Sequence, residues 1–255
     1  MADIPAARGA LRILTHLARQ SGPVGASAIA RDLGLPRSST YQLIRVMQDE
    51  GYVVHYPELR AYGLGSLVSE IGASVLRATR LGRLAQPLID KLVLEVGMPA
   101  VAQLGVLHGS DVSYVSKAAG HRAPTTVASV GVRLPAHLTA TGRSMLAALP
   151  AGQVRALFPH RESLVTRRGL GPTTLRALDE ILAATVRRGF AVEDGEITQG
   201  YSSVAAAATD RHGYPVAAIG LTYLSVAAEA PDETARLGAA VVSAVAALTA
   251  RLGGH

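Results

Sequence analysis

The sequence contains no cysteine, which excludes disulfides, thiolate zinc sites and cysteine nucleophiles. Lysine is nearly absent, since 23 of the 25 basic residues are arginine. An alanine- and arginine-rich, lysine-poor chain suggests a high-GC source, so the net charge of +6 is only weak support for a polyanionic partner. No uninterrupted apolar run approaches the roughly 20 residues that span a bilayer. The first ten residues lack a basic segment followed by an apolar stretch, so no signal peptide is evident. The expectation is a cytoplasmic chain without a membrane partner. Charged residues are 17%, too few for disorder, and apolar residues are 49%, enough for a sizeable core.

The excess charge is uneven. Residues 1–84 carry 10 Arg against 6 acidic residues, whereas residues 85–255 carry 15 basic against 13 acidic. In that first third, apolar residues recur at helical spacing over 6–20, with Ala7, Ala10, Leu11, Leu14, Leu17 and Ala18, until Ser21-Gly22-Pro23. A short helix over 26–33 and the turn Gly34-Leu35-Pro36 lead to a third helix over 37–50. Its expected inward set is Tyr41, Leu43, Ile44 and Met47, and Gly51 closes it. Two β-type runs, 52–55 and 61–64, flank a polar turn. Together these predict a winged helix-turn-helix over residues 1–65.

A linker helix follows over 66–80. Its stripe of Leu67, Val68, Ile71, Val75 and Leu76 is more apolar than a monomeric connector requires, which predicts packing against a second copy, as a homodimer or a dimer of dimers. Residues 81–255 alternate helices (84–96, 141–149, 173–188, 232–252) with strands (101–106, 112–117, 126–130, 190–193, 202–209, 216–223). Hairpin-linked strands with segregated helices predict an α+β domain built on an antiparallel sheet.

Polar side chains in the first turns of a recognition helix read base edges in the major groove. Here they are Arg37, Ser38, Ser39, Thr40 and Gln42, followed by Arg45. Gln42 suits an adenine edge, and Arg37 or Arg45 suits guanine or phosphate. Ser38, Ser39 and Thr40 suit phosphates, or serve only as helix caps. Arg60, the wing's sole basic residue, is assigned a phosphate or minor-groove contact over a solvated loop position. Double-stranded operator DNA is the partner these residues fit.

The ordered segments Ile29-Ala30-Arg31-Asp32-Leu33-Gly34-Leu35-Pro36-Arg37-Ser38-Ser39-Thr40, Glu50-Gly51-Tyr52-Val53 and Tyr62-Gly63-Leu64-Gly65 resemble the IclR family of regulators. The resemblance continues through residues 131–143, where Arg143 stands in place of a usual lysine, through 188–196, and through Gly200-Tyr201-Ser202-Ser203-Val204-Ala205. It covers nearly the whole chain. It implies a GAF-like sensing domain, a dimer or tetramer, and control of catabolic genes through a small organic effector, often an acid or an aromatic compound. Carried over position by position, the effector pocket would include Ala140, Thr141, Glu193, Ser203, Gly220 and Thr222. Glycine at 220, where serine is common, is expected to remove a donor and open space, which points to a larger or less acidic effector than a compact keto acid. Independently, residues 139–142 start a helix after a proline-containing loop, and free N–H groups at a helix start attract ligand oxygens. Ser203 and Thr222 on apolar strands supply a polar minority in a small-molecule site, or simply bond nearby backbone.

Other chemistry finds little purchase. Gly200-Tyr201-Ser202-Ser203-Val204 lacks the final glycine of a nucleophile elbow. His108, His121, His137, His160 and His212 show no ligand spacing, and Glu193, Asp194 and Glu196 are more simply turn acids than metal ligands. No catalytic residue, metal or cofactor is assigned. The alternatives kept open are a small-molecule-processing enzyme or carrier whose N-terminal helices serve association, and an architectural DNA binder without an effector.

Overall fold

The computed structural model describes residues 4–167, 169–228, 230 and 232–253. The chain divides into two compact units, Met1–Arg77 and Ala78–His255.

In the first unit, α1 (Pro5–Ala18), α2 (Ala26–Leu33) and α3 (Arg37–Asp49) precede a hairpin of β1 (Val53–Tyr56) and β2 (Ala61–Leu64). Gly34 ends α2 in the left-handed conformation at φ 64°, which a side chain would disfavour, and so sets the turn between the two helices. Ile13, Leu17, Ile29, Ile44, Met47 and Val53 form the unit's core. Val24 exchanges backbone hydrogen bonds with Tyr62 (2.8 and 2.9 Å), adding a bridge beside the hairpin.

The helix expected at 66–80 does not stop there. It is the start of α4, a 30-residue helix over Ser66–Glu95 that absorbs the separate helix expected at 84–96 and carries Pro87 inside it. Ile71, Val75 and Leu76 are exposed along its first half.

The second unit is built on a six-stranded antiparallel sheet. Its strands are β3 (Ala100–His108), β4 (Asp111–Ala119), β5 (Arg133–Pro135), β6 (Ala191–Asp194), β7 (Tyr201–Thr209) and β8 (Pro215–Leu224), in the order β5-β4-β3-β8-β7-β6. The strand expected at 126–130 is instead a loop, and β5 follows it at Arg133. Successive strand residues face opposite sides, so Ala217, Ile219, Leu221 and Tyr223 of β8 join Ala100, Ala102 and Leu104 of β3 on one face. That face is covered by the second half of α4 and by α8 (Glu233–Arg251), through Ala85, Ile89, Leu92, Leu237, Val241 and Leu248. By length and mean hydropathy (1.2), α8 meets the requirement for crossing a bilayer, which no segment was expected to do. Here its apolar side is the cover of the sheet.

The other face carries α5 (Ala140–Ala147), α6 (Ala151–Leu157) and α7 (Leu175–Arg188) over a second cluster that includes Val112, Met145, Phe158 and Leu178. A β-bulge decides which side chains reach this face. Gly105 pairs with Tyr114 but Leu104 pairs with Ser116, so β4 carries one extra residue, Val115. Ser116 and Ala118 therefore point toward α4, where Ser116 hydrogen-bonds Gln86, while Val112 and Tyr114 point toward α5.

Candidate functional site

Helix α3 starts on Pro36, which occupies the N-cap without any side-chain cap. The capping role considered for Ser38 therefore falls away, and its side chain is exposed. Ser38, Tyr41, Gln42 and Arg45 are all exposed and lie at i, i+3, i+4 and i+7, a single helix face. Arg37 is exposed beside them in the first turn, and Ser39 is half-buried. Thr40 contradicts its expected DNA contact. It is fully buried, its hydroxyl donates to the Pro36 carbonyl (3.0 Å), and it faces the core with Ile44 and Met47. Tyr41 is a correction in the other direction. Expected inward, it is 51% exposed, because it sits about 100° around the helix from the Thr40–Ile44–Met47 stripe.

At the wing, Pro57–Leu59 form a 3-10 turn that ends on Arg60 in the left-handed conformation, φ 50°. A non-glycine residue there is uncommon, and the side chain projects from the wing tip, exposed. Behind it His55 stacks on Tyr62, ring centroids 4.7 Å apart.

In the second unit, a cavity opens between the sheet and the start of α5. All six positions carried over from the family resemblance line it: Ala140, Thr141, Glu193, Ser203, Gly220 and Thr222. About 460 Å³ between its walls is free of protein atoms, open solvent included. Small residues let α5 lie close to the sheet: Ala140 packs on Ala191 and Ala205. Gly220 belongs to this packing. A Cβ there would lie 2.6 Å from Thr141 Cγ2, so the glycine does not open the pocket as expected; a threonine methyl fills the space.

The polar lining is organised in two groups. Tyr114 and Thr141 share a hydrogen bond between their hydroxyls (3.1 Å), and burial pushes the Tyr114 phenol up to about 12. Gln103 Nε2 donates to Thr222 Oγ1 (3.2 Å), which meets Ser203 Oγ (3.0 Å). Ser203 is the cross-strand partner of Glu193 and bonds its carboxyl. Glu193 is 3% exposed. Burial and the Glu196 carboxylate push its pKa up, against the Ile197 amide, Ser203 and Arg143, to about 7. Thr139 caps α5, accepting from Gly142 N (3.0 Å).

The residues that sequence reasoning missed include Gln103, Tyr114 and Tyr201. Alternation on apolar strands marked Ser203 and Thr222, but only the bulge at Val115 delivers Tyr114. Arg143 is also better defined than its motif suggested. It is 3% exposed, and its guanidinium donates to the carbonyls of His137 (2.9 Å) and Val192 (2.8 Å) and to Glu196 (2.8 Å). Glu196 is thus an ion-pair partner and Asp194 accepts from Ser202 (2.6 Å); no metal-binding group of three occurs among the described residues. His108, His121, His160 and His212 are exposed. His137 is buried, its Nε2 2.7 Å from the Val165 carbonyl, and burial lowers its pKa.

Comparison with known proteins agrees across both units. Residues 6–57 match the family model of the IclR helix-turn-helix domain, and residues 73–250 match that of the bacterial transcriptional regulator IclR C-terminal. The chain is 29% identical over 246 residues to the transcriptional repressor IclR of Escherichia coli strain K12, covering 96% of this chain and 88% of that one. It is 32% identical over 220 residues to the glycerol operon regulatory protein of Streptomyces griseus, covering 86% and 85%. The crystal structure of the Thermotoga maritima IclR shares the fold, with a TM-score of 0.65 at 22% identity over 98% of this chain and 100% of that one.

Proposed function

The chain belongs to the IclR family of bacterial transcriptional regulators, and on that premise we propose that it binds operator DNA through α3 and the wing, under the control of a small organic effector held between α5 and the sheet. The family is one of DNA-binding regulators rather than enzymes. Residues 1–65 are assigned to DNA, 66–80 to the connection and 81–255 to effector binding, in a cytoplasmic homodimer or dimer of dimers. The apolar, exposed first half of α4 supports self-association. Arg37, Ser38, Ser39, Gln42, Arg45 and Arg60 are the proposed DNA contacts, with Tyr41 added and Thr40 removed.

The observation that carries this reading is the α3 face of Ser38, Tyr41, Gln42 and Arg45, polar and exposed, set apart from the buried stripe of Thr40, Ile44 and Met47. An aromatic or carboxylate-bearing effector suits the cavity, whose lining sets the hydroxyls of Tyr114, Thr141, Ser203 and Thr222 beside apolar Leu134 and Ile197. Effector binding then shifts a conformational equilibrium and with it the affinity for DNA. The test is fluorescence anisotropy on DNA flanking the protein's own gene, with unrelated DNA as competitor and at several salt concentrations, because phosphate contacts dominate non-specific affinity. Binding that survives competitor is expected. Binding no tighter than to random DNA at every salt concentration would overturn the assignment of those flanking sequences as operator.

A further inference from the structure

Resting on the effector pocket assigned above, we propose that the site selects monocarboxylic acids over dicarboxylates and takes each one up together with a proton on Glu193. The inference starts from charge. Among the described residues, no arginine, lysine or histidine lines the cavity, and one carboxyl, Glu193, does. Arg143, a buried cation whose charge acts on Glu193, has its guanidinium spread over His137 O, Val192 O and Glu196. Lys117 is not among the lining residues and donates to Thr126 Oγ1 (3.2 Å).

A ligand carboxylate entering this space beside an ionised Glu193 places two like charges in a poorly solvated cavity, and one of the pair must then hold a proton. The protonated carboxyl of Glu193 donates its O–H to a ligand carboxylate oxygen, and the proton comes from water. The surroundings favour that form. Burial first, and then the Glu196 carboxylate, disfavour the charge of Glu193, and the Ile197 amide, Ser203 and Arg143 offset this only in part, so that about half of Glu193 is protonated at pH 7. Tyr114 across the cavity and Tyr223 on the far face of the sheet both stay as neutral phenols, so neither adds a further negative charge. A dicarboxylate needs a second proton or a cation, and the described lining provides neither.

The experiment is calorimetric titration of the full-length protein with benzoate, phenylacetate and isovalerate, with their neutral amides, and with terephthalate. Each is run at about pH 6 and about pH 8, in two buffers of different ionisation enthalpy. The expected result is uptake of about 0.1 proton per bound monocarboxylate at about pH 6 and about 0.9 proton at about pH 8, with a Kd about tenfold weaker at the higher pH, amide binding unchanged by pH and terephthalate bound more weakly than benzoate. Glu193→Gln should make the monocarboxylate affinity independent of pH. A monocarboxylate that binds the native protein equally at both pH values without proton uptake would overturn the proposal while leaving the pocket intact; Lys117 or the start of α5 would then carry the charge. If no acid or amide binds at either pH, the pocket reading itself fails, and the proposal with it.

Discussion

The methyl group of Thr141 occupies the place that a side chain at Gly220 would need: a Cβ built on Gly220 lies 2.6 Å from Thr141 Cγ2. The glycine on β8 and the threonine in the first turn of α5 are therefore one packing unit, and the pocket's depth at that point is set by both. Gly220→Ser is expected to destabilise the protein by about 1–3 kcal/mol through overpacking, and to weaken effector binding by displacing Thr141 from Tyr114. Adding Thr141→Ser removes the methyl and keeps the hydroxyl, so the double variant should recover much of the loss. Urea denaturation of the two single variants and the double one measures the coupling; strict additivity would show that the two residues do not share the space.

On α3, the structure separates contact from support. Replacing both Arg37 and Gln42 with Ala should abolish specific operator binding and leave the oligomer intact, read by anisotropy and by sedimentation. Tyr41→Ala should weaken operator binding with little loss of stability, because the side chain is half exposed. Thr40→Ala should do the reverse. It deletes the buried hydroxyl bond to Pro36 O, costing about 1 kcal/mol of stability, and should change operator affinity only as far as the helix start loosens. Normal operator binding by the Arg37, Gln42 double variant would remove α3 from the interface.

These corrections show what the sequence could carry. Most of the element order was legible, because periodicity is a local property, although α6 was not expected; the six positions that line the cavity came from the family resemblance, and only Ser203 and Thr222 were also marked by their own strands. The inward-facing Thr40 and outward-facing Tyr41 were not, since residue type pointed one way and a 100° step around the helix the other. Tyr114 was hidden by the bulge at Val115, which breaks the two-residue alternation that any strand reading assumes. The 126–130 segment has strand-forming residues but lines the cavity as a loop through Thr126, Val127 and Ala128. The two expected helices join into α4 because residues 81–83, expected as a break between linker and sensing domain, are themselves helical; Pro87 lay inside the expected 84–96 helix and is accommodated there.

Arg143 ties the start of α5 to the β6–β7 turn, whose Ile197 and Thr198 line the pocket. Arg143→Met leaves Glu196 and two carbonyls without their partner, and a loss of about 3–5 kcal/mol is expected. Arg143→Lys keeps the charge but reaches fewer of the three acceptors, because an ammonium lacks the planar fork of the guanidinium. Its loss should be clearly smaller than that of Arg143→Met. Chemical denaturation at one pH orders the two variants, and equal losses would mean that geometry, not charge, is what the site requires.

The buried carboxyl of Glu193 gives the stability of the protein a definite pH sign. Its pKa is raised from 4.5 to about 7, first by burial, so the folded protein binds this proton more tightly than the unfolded chain does. The contribution is fully present below the unfolded value and is lost as pH rises through about 7. Glu193→Gln removes the titration while keeping an oxygen for the Ile197 amide. At about pH 5 the variant and the native protein should have similar stability; at about pH 8 the variant should be relatively more stable, by roughly 1–3 kcal/mol. Urea midpoints at the two pH values measure the difference. A variant that loses ground to the native protein as pH rises would mean that attraction to Arg143 outweighs burial, and that Glu193 is held as an anion in the folded state.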